Sequence, residues 1–446
     1  MSEIRSNALS RQVVSKTRAS SSSLPVVAVA ESRDEPHNVE RAKRFDALVL
    51  DAGLRQSLVT VRSLGRKGRS VAALETSSNA PVFASRWCAQ KFVSPSAHCT
   101  EEYLSYVEDL LERTAARVLI PSHDGTIELL RQHRTRLEQR VRIALANEHA
   151  LRIAVNKEQT LKIARSLGMH VPPSVMVHSV SDVSSALKEI GLPAVVKPNE
   201  SWIGGTRVAS ELVTTADEAH RAVAVLTGNG GSALFQRLLS GRREAVSLLY
   251  ASGEICARFA QWAKRTAPPL GGESVLRQSI AMPPDIGPQS ERLVREINLD
   301  GYSEVEFRRD TAGVAYLMEI NPRLSASVEV AVRAGVDFPY LVYQWASGGP
   351  IDRVAGYQTG GWMRYLGGDI TSMVAAFRER GRPGVAPPLQ TVVDFGLSFL
   401  RPMAYDYMNW RDPMPAIKAT THFTQGALRS LAARAAEFGA GWRDRL

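Results

Sequence analysis

Cysteine is scarce in this chain: there are three in 446 residues, Cys88, Cys99 and Cys256. They are too few and too scattered for a disulfide framework or a zinc knuckle. A reducing cytoplasm is therefore the expected setting. No run of about 18 apolar residues occurs, so no membrane span is expected. The opening stretch MSEIRSNALSRQVVSKTRASSSSLPVV has no continuous apolar core, so no signal peptide is expected either. No basic run is interleaved with aromatics, which argues against nucleic acid as a partner. A G-x-G-x-x-G turn is missing, so dinucleotide binding is poorly supported. G-x-S-x-G is missing too, and nothing points to a protein nucleophile. No internal repeat is visible.

What is present is an ordinary globular composition, 44 % hydrophobic and 22 % charged, with a formal net charge of +10. The excess of cations favours anionic ligands, and it also fits a merely solvated basic surface. The length predicts two to four structural units. Residues 1–44 are rich in Ser, Arg and small side chains without periodicity, and read as a disordered arm. Residues 45–150 read as a small open α/β layer. Its first strand is Ala47 to Leu50, and a second strand begins at Ser70 after a helix. Residues 117–133 repeat the theme, with His123 and Asp124 at a strand's carboxyl end, where ligands often bind. A turn capped by Asp124 is the plainer reading. From residue 233 the pattern becomes antiparallel: strand, Gly241 turn, strand, Ser252-Gly253 turn, strand. Amphipathic helical stretches, TSMVAAFRERG and TQGALRSLAARAAEFGAGWRDRL, follow residue 355.

The stretch LMEINPR is unusual for a buried strand. Period two puts Glu319, Asn321 and Arg323 on one face. The preceding segment, YSEVEFRRD, reads as its hairpin partner and carries Glu306. Two carboxylates and an amide oxygen are hard ligands suited to Mg²⁺, which completes its shell with water and phosphate oxygens. The planar fork of Arg323 suits a carboxylate or phosphate. A salt-bridged surface strand pair is the bland alternative. Upstream, Lys197 ends the strand LPAVVKP beside a loop containing Gly204 and Gly205. A lysine and backbone N–H groups placed so can cradle phosphates. A snorkelling strand-end lysine is equally compatible with that fragment alone.

Taken in order, these pieces resemble the ATP-grasp superfamily, in its carbamoyl-phosphate-synthetase-like and biotin-carboxylase-like branch, over roughly residues 45–350. The resemblance implies α/β and α+β classes together: an ATP-grasp fold with an N-terminal open α/β (pre-ATP-grasp) domain over 45–150. A small lid subdomain over 151–232, a large subdomain with the metal site over 233–354 and a helical C-terminal extension over 355–446 would follow. It implies an ATP site built from Lys157 (in NKEQTLKIARSLGMHVPPS), Lys197, Gly204, Gly205, Gln236, Leu238 and Glu244. It implies Mg²⁺ or Mn²⁺ on Glu306, Glu319 and Asn321, and Arg323 with Lys197 as catalytic cations. The acceptor site would involve Lys264, Arg265, Gly271, Gly272 and Arg277, whose bland reading is a solvated loop. The sequence departs from the family at Gln236, where an acid is common, and at the Gly204 loop, which is poor in glycine.

The implied reaction is activation of a carboxylate by ATP as an acyl phosphate, then displacement by an amine, with ADP and phosphate released. The acid could be an amino acid, a peptide or a glycan uronic acid. One enzyme alternative is a carboxylating or carbamoyl-phosphate-forming catalyst. The chain has a single grasp copy and no Met-Lys-Met carrier signature, which disfavours it. The other is a non-catalytic nucleotide-binding module, which the retained metal set disfavours. Three roles stand open for the C-terminal tail: covering the active site, forming a homodimer, or peripheral contact with anionic lipid.

Overall fold

The computed structural model describes residues 44–98, 100–200, 202–203, 206–207, 209–228, 230–426 and 429. The arm expected at 1–44 lies outside them except for Arg44, as do Cys99, Gly204 and Gly205.

The first layer is a five-stranded parallel sheet. Its order is Gln90–Val93, Val71–Glu75, Ala47–Val49, Val118–Ile120, Arg142–Ile143. Apart from Glu75, the three central strands are short apolar runs, and every residue in them is buried, as expected where helices cover both faces. The strand order reverses beside Ala47–Val49. The crevice beyond the carboxyl ends of such strands is where open α/β sheets bind ligands. Asp51, Glu75 and Ser122 to Asp124 gather there. Asp51 holds a left-handed backbone (φ 57°) and accepts the N–H groups of Ser122 and His123, each at 2.8 Å.

A four-stranded antiparallel sheet follows in the order Glu211–Val213, Ala194–Pro198, Ala233–Arg237, Ser174–Val177. Helices Val183–Ile190 and Ala216–Thr227 bury their apolar stripes against it. Thr215 caps the second helix by accepting the Glu218 N–H.

The third layer is a seven-stranded sheet ordered Ala315–Asn321, Gly301–Arg309, Arg243–Ala251, Glu254–Ala267, Glu273–Ile280, Trp362–Arg364, Ala404–Tyr405. Two expectations are corrected here. The strand Ala233–Arg237, expected in the large subdomain, completes the four-stranded sheet, and the chain crosses to the larger sheet around Gly241. A Cβ at Gly241 would collide with the Arg309 carbonyl, so the crossing needs glycine. The C-terminal extension is not simply helical either. It adds two strands to the edge of the large sheet, besides helices Leu366–Arg378, Pro388–Leu397 and residues 414–426. Edge strands need a partner, and the extension supplies it.

Candidate active site

The hairpin Gly301–Arg309 and Ala315–Asn321 builds the core of the site. Asp310 accepts the N–H groups of Ala312 and Val314, each at 2.9 Å, and Gly313 takes φ 84°, closing the turn. From the turn outward Phe307 faces Leu317, and a bulge then shifts the register by one residue, so that Glu306 stands directly opposite Glu319, and Glu304 opposite Asn321. Directly opposed residues share a face. The two carboxylates and the amide are thereby brought together. Asn321 Nδ2 donates to Glu306 Oε1 at 3.0 Å, and Arg243 Nη2 donates to Glu306 Oε2 at 2.5 Å.

The electrostatics are those of two enclosed carboxylates among three cations, Arg243, Lys157 and Lys197. Burial raises Glu306 to about 7; Arg243 opposes the rise, while Glu319 and Glu304 add to it. Burial also pushes Glu319 up, but the charges of Lys157, Lys197 and Arg243 outweigh it and hold that carboxyl below its usual value. Lys197 is lowered to about 8 by its own enclosure, against the pull of Glu319. Its Nζ donates to Gln236 Oε1 at 2.7 Å from the neighbouring strand. Gln236 Nε2 is buried without a hydrogen bond, a donor held in reserve beside the lysine. Lys157 opens the helix Lys157–Ser166 and is buried, its backbone N–H bonded to the Asn199 carbonyl. Lys157, Glu319, Asn321, Asp124, Glu200 and Trp202 line a single cleft enclosing about 600 Å³ of space open to solvent.

Arg323 lies just past the end of its strand. Its Nε and Nη2 both donate to the Asp124 carboxylate, the second bond at 2.9 Å. Asp124 is not the helix cap. His123 is, accepting the Gly125 N–H at 3.3 Å, which leaves the Asp124 carboxylate for Arg323. Trp202, from the loop after Lys197, stands edge-on to the His123 ring at 4.9 Å. The first domain therefore reaches the site through His123 and Asp124.

Other expected residues are placed elsewhere. Glu244 sits opposite Phe307, whereas Ala245 sits opposite Glu306, so Glu244 projects from the other side of the sheet. Arg242 and Arg309 occupy its two oxygens, at 2.8 and 2.7 Å. Arg265 is bound by both oxygens of Asp369, at 2.6 and 2.7 Å. Arg277 is fully buried and bound by both oxygens of Asp406. These two guanidiniums are neutralised by the C-terminal extension and do not face a solvated acceptor site. Lys264 is half-buried at a bulge, with no ion pair recorded among the described residues. The Leu238 N–H is directed at the Pro193 carbonyl, 3.4 Å away. The Gly272 carbonyl accepts from Arg243 Nη1 at 2.5 Å, and the same guanidinium donates to Glu306. The sequence reading missed Arg243 and Glu304. Period two already places Glu304 on the face of Glu306, but only the register shows its company.

Among the described residues no group of three or more His, Cys, Asp or Glu side chains gathers as a metal site. Two carboxylates and an amide remain a set that fits a hard divalent cation taking its other ligands from water and phosphate. The unbonded Gln236 amide and the two lysines fit an anionic nucleotide beside it.

A family model described as "ATP-grasp in the biosynthetic pathway with Ter operon" matches residues 263–366. A D-alanine–D-alanine ligase from Chromohalobacter salexigens is 26 % identical over 208 residues, covering 43 % of this chain and 63 % of that protein. A carbamoyl phosphate synthase large chain from Xylella fastidiosa is 27 % identical over 199 residues, covering 41 % of this chain and 18 % of that one. The chain thus spans less than two thirds of the length of these relatives. Biotin carboxylase from Campylobacter jejuni superposes with a TM-score of 0.59 at 15 % identity, covering 72 % of this chain and 74 % of that one. N5-carboxyaminoimidazole synthetase from Staphylococcus aureus gives 0.58 at 16 % identity, covering 76 % and 87 %. The layers described above match the fold of those enzymes, and over residues 263–366 the sequence is similar to an ATP-grasp family.

Proposed function

We propose that the protein is an ATP-dependent ligase that activates a carboxylate as an acyl phosphate and joins it to an amine, releasing ADP and phosphate. The observation that carries this reading is the opposition of Glu306 and Glu319 on one sheet face. Asn321 is bonded to Glu306, Lys157 and Lys197 act on Glu319, and Arg323 follows two residues later. Phosphoryl transfer calls for positioned cations more than for a protein nucleophile. In this reading Glu306, Glu319 and Asn321 hold Mg²⁺ or Mn²⁺, which supplies charge neutralisation at the phosphates. Lys157 and Lys197 bind ATP phosphates, and Gln236 offers its unbonded amide to the nucleotide. Arg323 exchanges Asp124 for the carboxylate substrate, a group its fork fits equally well.

Ligation by D-alanine–D-alanine ligase and the MgADP named with a 2-oxoglutarate carboxylase structure of the same fold support the reaction type and the cofactors. The scarcity of cysteine supports a cytoplasmic location. No described helix is long and apolar enough to cross a membrane. The test is ADP release by the full chain with Mg²⁺-ATP, a panel of amino acids, peptides and uronic acids, and a panel of amines, with products read by mass spectrometry. ADP release that depends on one acid and one amine is expected. ATP turnover indifferent to every acid, or no nucleotide binding at all, would remove the ligase reading.

A further inference from the structure

A second row of acceptors lies on the same sheet face as the metal carboxylates. The register runs Gln261–Ala245–Glu306–Glu319 in one row and Ser247–Glu304–Asn321 in the next. Gln261 and Glu304 therefore share the face of Glu306, and Ala245, which stands between Gln261 and Glu306, contributes only a methyl group. Both outer residues are buried, at 5 % and 4 % exposure. Buried polar atoms normally have partners, so the pattern of bonding here is informative.

Three hydrogen bonds reach Glu304, and all fall on Oε2: from Gln261 Nε2 at 2.9 Å, and from Ser247 and Ser327 Oγ, each at 3.4 Å. Oε1 has no hydrogen bond among the described residues. Gln261 Nε2 is committed to Glu304 and to Ser327 Oγ at 2.6 Å, and Gln261 Oε1 is buried with no partner. The orientation of that amide is fixed by its neighbour. Reversed, it would set its oxygen against the Glu304 carboxylate. Gln261 Oε1 is thus buried without a donor, and Glu304 Oε1, on the other side chain of the bonded pair, accepts none from the described residues. Ser327, which braces both, lies in the turn that follows Arg323, and Tyr302 ties the nest together through Ser247 and Ser325.

A missing partner for two acceptors is a group with at least two N–H bonds. We propose that Glu304 Oε1 and Gln261 Oε1 seat the N–H groups of the acceptor amine, beside the face that holds the metal carboxylates and Arg323. The substrate class is a primary amine. Two such bonds leave the nitrogen's remaining valence to point away from the nest. This rests on the ligase reading for the word acceptor, but the seat itself is a binding site and is testable alone.

The probe is methylamine, read by saturation transfer to its methyl protons, on the full chain saturated with Mg²⁺-ADP. Tetramethylammonium, which has the charge and no N–H, is the control. Methylamine is expected to bind the wild type and tetramethylammonium not to. Glu304→Gln keeps the shape but turns the free oxygen into an amide donor, and Gln261→Leu removes the other acceptor. Each should weaken methylamine at least tenfold, with melting temperature and ADP affinity held near wild type. Equal binding of tetramethylammonium, no methylamine binding to the wild type, or unchanged binding in both variants overturns the seat. So does a parallel fall in stability and ADP affinity, which is what a purely structural network gives. If Glu304→Gln fails to fold, Gln261→Leu decides the question. ADP release on the acid panel is scored separately. Its absence beside an intact methylamine response sinks the ligase reading and spares the seat, and the converse sinks the seat alone.

Discussion

Replacing Glu306 with Gln should stabilise the cation-free protein at alkaline pH while destroying its response to Mg²⁺. The carboxyl is raised from 4.5 to about 7 by burial and by its acidic neighbours. A raised carboxyl binds its proton more tightly in the folded chain, so folding loses stability as pH climbs from the unfolded value through about 7. The full penalty is present above that. A shift of that size corresponds to roughly 3 kcal/mol at about 1.4 kcal/mol per pH unit, with the contribution of Arg243 already included. Glutamine mimics the protonated acid and has no such penalty. In EDTA the variant should match wild type near pH 5 and exceed it by about 1–3 kcal/mol at pH 8, a rise of several degrees in melting temperature. Added Mg²⁺-ADP should reverse the ranking, because a ligand stabilises only the chain that binds it. Parallel melting curves from pH 5 to 8, with and without Mg²⁺-ADP, make the measurement. A variant less stable than wild type at pH 8, or a difference that does not change with pH, would show that Glu306 is a satisfied partner of Arg243. It would then not be a carboxylate awaiting a cation.

Lys197→Ala should weaken ATP binding at least about tenfold, roughly 1.4 kcal/mol, by calorimetry; unchanged affinity would take Lys197 out of the site. Arg323→Lys should keep ATP affinity yet lose acid-dependent ADP release by about a hundredfold, some 2.7 kcal/mol, because a lysine cannot make the paired contacts now made to Asp124. Normal turnover with the true acid would end the assignment of Arg323 as the anion clamp. Asp406→Asn should cost about 3–5 kcal/mol, seen as a large fall in melting temperature, since it strips charge from the partner of buried Arg277 and Arg55. A shift under a degree would mean that solvent reaches those guanidiniums.

Much of the site was legible because local periodicity carries it. Glu306 and Glu319 could be placed on paired strands from the turn at Asp310 to Gly313, but their direct opposition depends on a bulge between Phe307 and Glu306 that period two does not show. The βαβ start, with strands at Ala47 and Val71 around the helix Arg55–Arg66, was visible from local periodicity as well. What failed was long-range. Nothing local tells Ala233–Arg237 from the strands that follow it, yet it pairs with Ala194–Pro198 in another sheet. Glu244 illustrates a related limit: one residue of register moves a side chain through the sheet. Arg265 and Arg277 looked like acceptor-site cations because their partners, Asp369 and Asp406, lie 104 and 129 residues away.

Those partners give the C-terminal extension a physical role that composition could not suggest. The cations come from different parts of the chain: buried Arg55 and Arg62 from the first helix, half-buried Arg265 and buried Arg277 from neighbouring strands of the large sheet. Each meets an acid supplied after residue 366: Asp406 holds Arg55 and Arg277, Asp412 holds Arg62, and Asp369 holds Arg265 together with Arg364. A guanidinium enclosed without its acid carries a penalty of several kcal/mol. The first domain and the large sheet would therefore be left with uncompensated buried charge if the extension were removed. The extension also covers the edge strand Glu273–Ile280, whose Glu273 reaches Arg55 at 2.6 Å. Asp406 is the hinge of this arrangement, because its two oxygens join the first domain to the strand that leads from the loop at Gly271 and Gly272. Gly272 touches Arg243 and through it Glu306, while the next residue, Glu273, bonds Arg55, which Asp406 of the extension also holds. The path from Asp406 to Glu306 thus joins ion pairs through one stretch of backbone, and each ion pair can be cut on its own.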